Sequence, residues 1–146
     1  MIYTELTKTA IKIMYEAHKD RKDKSGLPYV FHPWHVAESM EDEECTCAAL
    51  LHDVIEDTDM TIDDLRNAGI PEEVLEALVL LTHEKGKPYM EYVRELSGNR
   101  IARRVKLSDL THNMDITRLD EPSKKDIERL DKYRKAKEYL EKNVKE

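Results

Sequence analysis

Apolar residues recur along this chain at spacings of three and four, the repeat that lines one face of an α-helix. Ile2, Leu6, Ala10, Ile13, Met14 and Ala17 set such a stripe and predict a helix over residues 2–19. Residues 22–33, with Ser25-Gly26, Pro28 and Pro33, read as a loop. Pro33 opens a short helix to about residue 40, because proline suits a first helical turn. A continuous helix is predicted over residues 43–56. Thr61, with Asp64 three residues on, is a capping signature, and Pro71 starts a helix running to about His83. Further helices are predicted over residues 88–97, 100–112 and 123–142. The last opens on Ser123 and Asp126 and carries Ile127, Leu130, Tyr133 or Arg134, Tyr139 and Leu140 as its apolar stripe. The tail over residues 132–146 reads as an exposed helix that frays at its end.

No repeat, low-complexity tract or linker divides the pattern. The expectation is an all-α, compact multi-helix bundle forming a single domain over residues 1–146. Four Gly and five Pro leave few breakers between long helices. Charged residues make up 38% of the chain, but the periodic apolar positions argue against disorder. A net charge of −7 argues against a nucleic-acid binder. Two basic clusters run against it: Lys19, Arg21, Lys22 and Lys24, and Arg100, Arg103, Arg104 and Lys106. Each suits either a small anion or a solvated helix face. No apolar run nears the roughly 20 residues that span a bilayer, and the first residues do not read as a signal peptide. The expected location is cytoplasmic, with no membrane partner. Cys45 and Cys47 lack the further ligands of a zinc site and read as two reduced thiols.

An isolated His-Asp pair carries little information; about half of one is expected by chance in this composition. The surroundings of His52-Asp53 carry more. On a helix, with His52 at zero, Glu56 falls near about 40°, Asp53 near about 100° and Asp57 near about 140°. Leu50, Leu51, Val54 and Ile55 occupy the opposite arc. One face thus gathers a histidine and three carboxylates with no base among them, a set that suits a cation. Ala49 on that face leaves room for an ion or a substrate. Asp109, His112 and Asn113 share a second helix face, and His32 lies in the loop before Pro33. Two imidazoles and two carboxylates suit manganese, iron(II) or zinc better than calcium or magnesium.

Three separated motifs match a known family. They are Gly26-Leu27-Pro28-Tyr29-Val30-Phe31-His32-Pro33, Ala48-Ala49-Leu50-Leu51-His52-Asp53-Val54-Ile55-Glu56-Asp57-Thr58, and Val105-Lys106-Leu107-Ser108-Asp109 with His112-Asn113-Met114. His18 matches as well. Over residues 10–118 the chain resembles the HD hydrolases that degrade the alarmone (p)ppGpp, both the hydrolase domain of RelA/SpoT proteins and small stand-alone members. The resemblance implies an all-helical fold and one divalent ion, usually manganese, held by His32, His52, Asp53 and Asp109. It implies Glu56 and Asp57 as the acid pair near the attacking water. Lys24, Ser25 and Asn113 would contact the nucleotide.

Four positions depart from the family pattern. Asp23 stands where an arginine associated with holding the guanine base is usual, and Leu110, Asp115 and Ile116 replace Arg, Arg and Thr. The metal and water machinery matches, whereas the base-recognition side is altered. A guanosine-3′,5′-bis(diphosphate) 3′-pyrophosphohydrolase is the leading expectation. An HD phosphatase for another small phosphorylated nucleotide or metabolite is one alternative, and a non-catalytic metal- and nucleotide-binding module is another. A homo-oligomer stays open. Of the remaining side chains, His35 reads as a satisfied structural histidine, His83 as a surface residue and Trp34 as core. His112 reads equally as an orienting or a packing residue.

Overall fold

The structure, a computed structural model, describes residues 1–142. The chain forms α1 (Glu5–His18), α2 (Phe31–Glu38), α3 (Glu43–Leu51), α4 (Val54–Asp57), α5 (Ile62–Asn67), α6 (Glu72–Leu81), α7 (Tyr89–Ser97), α8 (Arg100–Asn113) and α9 (Lys124–Lys142), with a 3-10 turn at Ile116–Arg118. No β-strand occurs among the described residues; one isolated bridge pairs Lys22 with Pro28. No helix among them is long and apolar enough to cross a membrane. The end of the tail, residues 143–146, lies outside the described residues.

Short polar side chains start the helices by satisfying their free N–H groups. Thr4 and Thr7 form a capping box before α1, which therefore begins at Glu5 rather than at residue 2. Thr61 and Asp64 form the expected box before α5, and Ser123 and Asp126 bond reciprocally before α9. Asp42 caps α3 by accepting from the Cys45 N–H at 2.7 Å. Its other oxygen accepts from Arg100 at 2.9 Å, which ties the start of α3 to the start of α8. Helix α3 leads into His52, and α8 carries Asp109.

Helix α3 is the centre of the packing. Every residue from Cys45 to Leu51 is buried, and the helix contacts α1, α2, α6 and α8. A helix that is apolar all round belongs inside a bundle. Leu50, Leu51 and Val54 are fully buried, as their arc on the wheel predicts. The two cysteines are free and buried, and burial pushes their thiols up to about 11 at Cys45 and about 12 at Cys47.

Several expectations need correction. Helix α2 begins at Phe31, so His32 sits in its first turn and not in a loop. The continuous helix over residues 43–56 is interrupted: α3 stops at Leu51, and Asp53 adopts φ −104°, ψ −2° before α4 resumes. On α9 only Ala136 and Leu140 are buried among the described residues, while Ile127 is 51% exposed. The tail is thus pinned at two positions rather than exposed throughout. Trp34 is half-buried at the edge of the core, and His35 is exposed, its ring 4.3 Å from that of His112.

Candidate metal centre

Three helices deliver the polar cluster. His32 comes from the first turn of α2, His52 from the end of α3 and Asp109 from the middle of α8; all three are buried. One ligand-capable atom from each lies within 4.8 Å of the others. His32 Nε2 is 2.8 Å and His52 Nε2 is 3.4 Å from Asp109 Oδ1. Asp53 joins from the open side, with Oδ2 3.2 Å from His52 Nε2 and 3.8 Å from His32 Nε2. On an uninterrupted helix the side chains of His52 and Asp53 would diverge by about 100°. The break between α3 and α4 turns Asp53 back toward His52.

Hydrogen bonding fixes how the rings point. His52 Nδ1 lies 2.6 Å from the Ala49 carbonyl, which only accepts, so Nδ1 carries the hydrogen. Its Nε2 faces the two carboxylates and is buried with no hydrogen-bond partner. Burial alone would lower the His52 pKa, but Asp53 and Asp109 raise it well above the ordinary value. Burial would raise Asp109, but Lys106, His32 and His52 hold it well below the usual carboxylate range. Asp53 is likewise held down, chiefly by His52 against the cost of burial. An orphaned imidazole nitrogen facing two ionised carboxylates is a donor set that fits a divalent cation, which would take the place of the proton there.

Outer partners hold each member. His32 Nδ1 is 2.7 Å from His112 Nδ1. Burial, and then the neighbouring His32, push the His112 pKa down to about 4, and which of the two Nδ1 atoms donates depends on the tautomers. Tyr29 donates its hydroxyl hydrogen to Asp53. Lys106 Nζ is 2.9 Å from Asp109 Oδ2, and Asn113 donates to Asp109 Oδ1 at 3.1 Å. Such contacts orient ligands and tune their basicity.

The cluster opens into two cavities. The larger, about 400 Å³, includes Lys24, Tyr29, Asn113, Arg118 and Arg129 in its wall. The smaller, about 220 Å³, is lined by His52, Glu56, His83, Lys106 and Lys132. Asp53, Lys106, Asn113 and Tyr133 border both. Glu56 accepts a hydrogen bond from the His83 N–H, and burial pushes its carboxyl above the ordinary value. Asp57 lines neither cavity and instead pairs with Arg21 at 3.0 Å. The Arg21 guanidinium lies over the Tyr29 ring at 4.4 Å. Glu56 and Asp57 thus part company, as adjacent residues on a helix must.

The remaining expected contacts divide in the same way. Lys24 and Asn113 line the larger cavity, whereas the Ser25 hydroxyl donates to Asp23 at 2.6 Å and Ser25 is absent from the wall. Of the basic run on α8, Arg100 and Arg104 face Asp42, Arg103 donates to the Ser97 carbonyl, and Lys106 alone borders the two cavities of the cluster. Leu110 is fully buried, Asp115 caps the 3-10 turn, and Ile116 forms cavity wall. Sequence reasoning gave no site role to Tyr29, Arg118 or Tyr133. Lys106, one turn before Asp109, was legible as a partner for it.

No protein-family model matches the chain. It is 34% identical over 113 residues to the guanosine-3′,5′-bis(diphosphate) 3′-pyrophosphohydrolase MESH1 of Danio rerio, which covers 68% of this chain and 62% of that one. It is 34% identical over 119 residues to the bifunctional (p)ppGpp synthase/hydrolase SpoT of Escherichia coli, covering 72% of this chain and 17% of SpoT. A 63-residue stretch is 46% identical to a putative chloroplastic GTP diphosphokinase RSH1 of rice, 7% of that protein's length. A solved structure of a metazoan ortholog of SpoT, described as hydrolyzing ppGpp, superposes with a TM-score of 0.73 and 26% identity, covering 98% of this chain and 87% of that one. The chain spans a fifth or less of the long relatives and under two thirds of the small one.

Proposed function

We propose, for a chain that by sequence and fold is an HD-type relative of the (p)ppGpp hydrolases, that it is a metal-dependent guanosine-3′,5′-bis(diphosphate) 3′-pyrophosphohydrolase. The observation that carries the reading is the buried His32, His52 and Asp109 triangle, with Asp53 at its mouth, opening into a cavity whose wall includes Lys24 and Arg129. An ester with two diphosphate arms brings several negative charges, and such a wall would attract them. We take residues 1–146 as one domain acting in the cytoplasm on a small nucleotide.

The ion would be held by His32 Nε2, His52 Nε2, Asp109 and Asp53, a mixed nitrogen and oxygen set that suits manganese. When bound, it would acidify a water and neutralise phosphate charge. Glu56 has one oxygen on the His83 N–H and the other available to take a proton from the attacking water. The bond from the ribose 3′ oxygen to phosphorus breaks, pyrophosphate leaves, and the 3′ oxygen is protonated. Lys24 and Arg129 meet phosphate charge, and Asn113 steadies Asp109. Asp57 acts at a distance: it anchors Arg21, which lies over Tyr29, which holds Asp53. Incubation of the manganese-loaded protein with ppGpp should release GDP and pyrophosphate one to one. Release of monophosphate, or no turnover, would overturn the reading.

A further inference from the structure

The larger cavity is walled by two unlike sets of residues. One belongs to the metal cluster. The other comes from the 3-10 turn Ile116–Arg118 and the residue after it, where Ile116, Arg118 and Leu119 all contribute wall. Apolar side chains beside a planar guanidinium make a surface that suits an aromatic ring better than a phosphate.

The cations of this cavity are not equally engaged. Arg21 pairs with Asp57 at 3.0 Å, Lys106 with Asp109 at 2.9 Å, and Arg129 donates to Asp126 at 3.3 Å. Arg118 has a looser tie: Nη1 lies 3.5 Å from Asp23 Oδ2, and Nε is buried without a partner. Asp23 itself is fixed. Its Oδ1 accepts from the Ser25 N–H at 2.9 Å, the Ser25 hydroxyl at 2.6 Å and the Leu27 N–H at 3.0 Å. Asp115 fixes the other side by capping the turn that carries Arg118. The guanidinium is therefore aimed by a rigid carboxylate but incompletely hydrogen-bonded.

We propose that Arg118 is the base-recognition residue of this chain and that Asp23 is its positioning residue. The inference rests on the nucleotide reading above and adds the base. A guanidinium presents a flat face for stacking and an edge with two parallel donors. Guanine offers two adjacent acceptors, O6 and N7, to such an edge, whereas adenine offers one acceptor beside a donor. The arrangement selects guanine.

Equilibrium titration of manganese-loaded parent, Arg118→Ala, Arg118→Lys and Asp23→Asn with GDP and with ADP tests it, alongside KM and kcat on ppGpp. The parent should prefer GDP. Arg118→Ala should weaken GDP binding about tenfold, the scale of a lost two-donor base contact, and level the GDP-to-ADP ratio. KM for ppGpp should rise in parallel while kcat and metal content hold. Arg118→Lys should not restore the preference, and Asp23→Asn should give a smaller loss of the same kind. Equal or undetectable binding of GDP and ADP by the parent overturns the inference. Full rescue by Arg118→Lys does so too, since the residue would then serve phosphates as a bare charge. Guanine-selective binding lost in Arg118→Ala, in a parent that does not turn over ppGpp, would uphold this inference and sink the proposed activity. Thermal melts of each variant separate recognition from misfolding.

Discussion

The Lys106 ammonium lies 2.9 Å from Asp109, one turn away on α8, and both side chains are almost wholly withdrawn from solvent. Burial would lower the lysine pKa, but Asp109, with Tyr92 and Tyr89 beside it, raises it well above the ordinary value. Removing one member of a buried pair costs about 3–5 kcal/mol where the other is left unpaired, and the low end applies here because His32 and Asn113 still hold Asp109 Oδ1. Lys106→Met should therefore destabilise the metal-free protein by that order. Manganese should recover much of the loss, because a cation next to Asp109 replaces the missing charge. Chemical denaturation with and without manganese measures both. An equal deficit in the two conditions would mean that no cation reaches Asp109.

Metal content tests the cluster directly. Protein purified without chelator should hold about one equivalent of divalent ion. Asp109→Asn should lose it, and His52→Gln should bind far more weakly while keeping the fold. Unchanged manganese affinity in Asp109→Asn removes that residue from the ligand set.

The metal-free cluster should also make stability depend on pH in both directions. His52 has its pKa raised well above the ordinary value in the folded state. Its contribution is complete below the unfolded value of about 6.5 and fades as pH rises through the folded value. Asp109 and Asp53 are depressed, so theirs is present above about 4 and fades as pH falls. Melting temperatures of the metal-free protein should thus fall on the alkaline side of neutrality, and His52→Gln should flatten that limb. Manganese binding should release protons and tighten with pH, which calorimetry in buffers of different ionisation enthalpy would detect.

The split between Glu56 and Asp57 gives different kinetics. Glu56→Gln removes a proton acceptor and should lower kcat by about 100-fold or more, with metal content intact. Asp57→Asn should cost less, since it acts through Arg21 and Tyr29. Arg21→Ala should cost about as much as Asp57→Asn, and the double variant little more than either, the signature of residues that work as one unit. Fully additive losses would place Asp57 in separate contact with the reaction.

Much of this was legible in sequence because helices announce themselves. The three-four stripe, Thr61 with Asp64, and Ser123 with Asp126 all mark elements of the structure. His52 stands out beside its apolar arc, whereas His32 and Asp109 join it through the resemblance to the HD hydrolases; the fold brings the three together. The interruption after Leu51 was not legible, since nothing between Leu50 and Glu56 is a helix breaker; at the turn His52 bonds back to the Ala49 carbonyl and Asp53 takes a tertiary hydrogen bond from Tyr29. Wheel angles computed across that break placed Asp57 on the metal face, whereas it faces Arg21. Arg118 escaped notice because a lone arginine in a loop has no pattern; only the fold brings it to Asp23, which is far away in the chain.

Asp23 offers the last test, and the structure changes its sign. As a carboxylate open to the nucleotide, its replacement by arginine would improve binding. Here one carboxylate oxygen organises the turn in which Gly26 takes φ +83°, and the other faces Arg118. Asp23→Arg loses three hydrogen bonds at once and sets one guanidinium against another. Each lost bond of this kind is worth about 0.5–1.5 kcal/mol, so the variant should be destabilised by about 1–3 kcal/mol, the loop being partly exposed. KM for ppGpp should rise, because Arg118 is repelled from its position. Asp23→Asn retains a side-chain oxygen for the turn and should keep most of the stability while loosening Arg118. Melts and steady-state kinetics of the two variants separate the roles. A lower KM in Asp23→Arg, at unchanged stability, would mean that the carboxylate faces the substrate and that the turn holds without it.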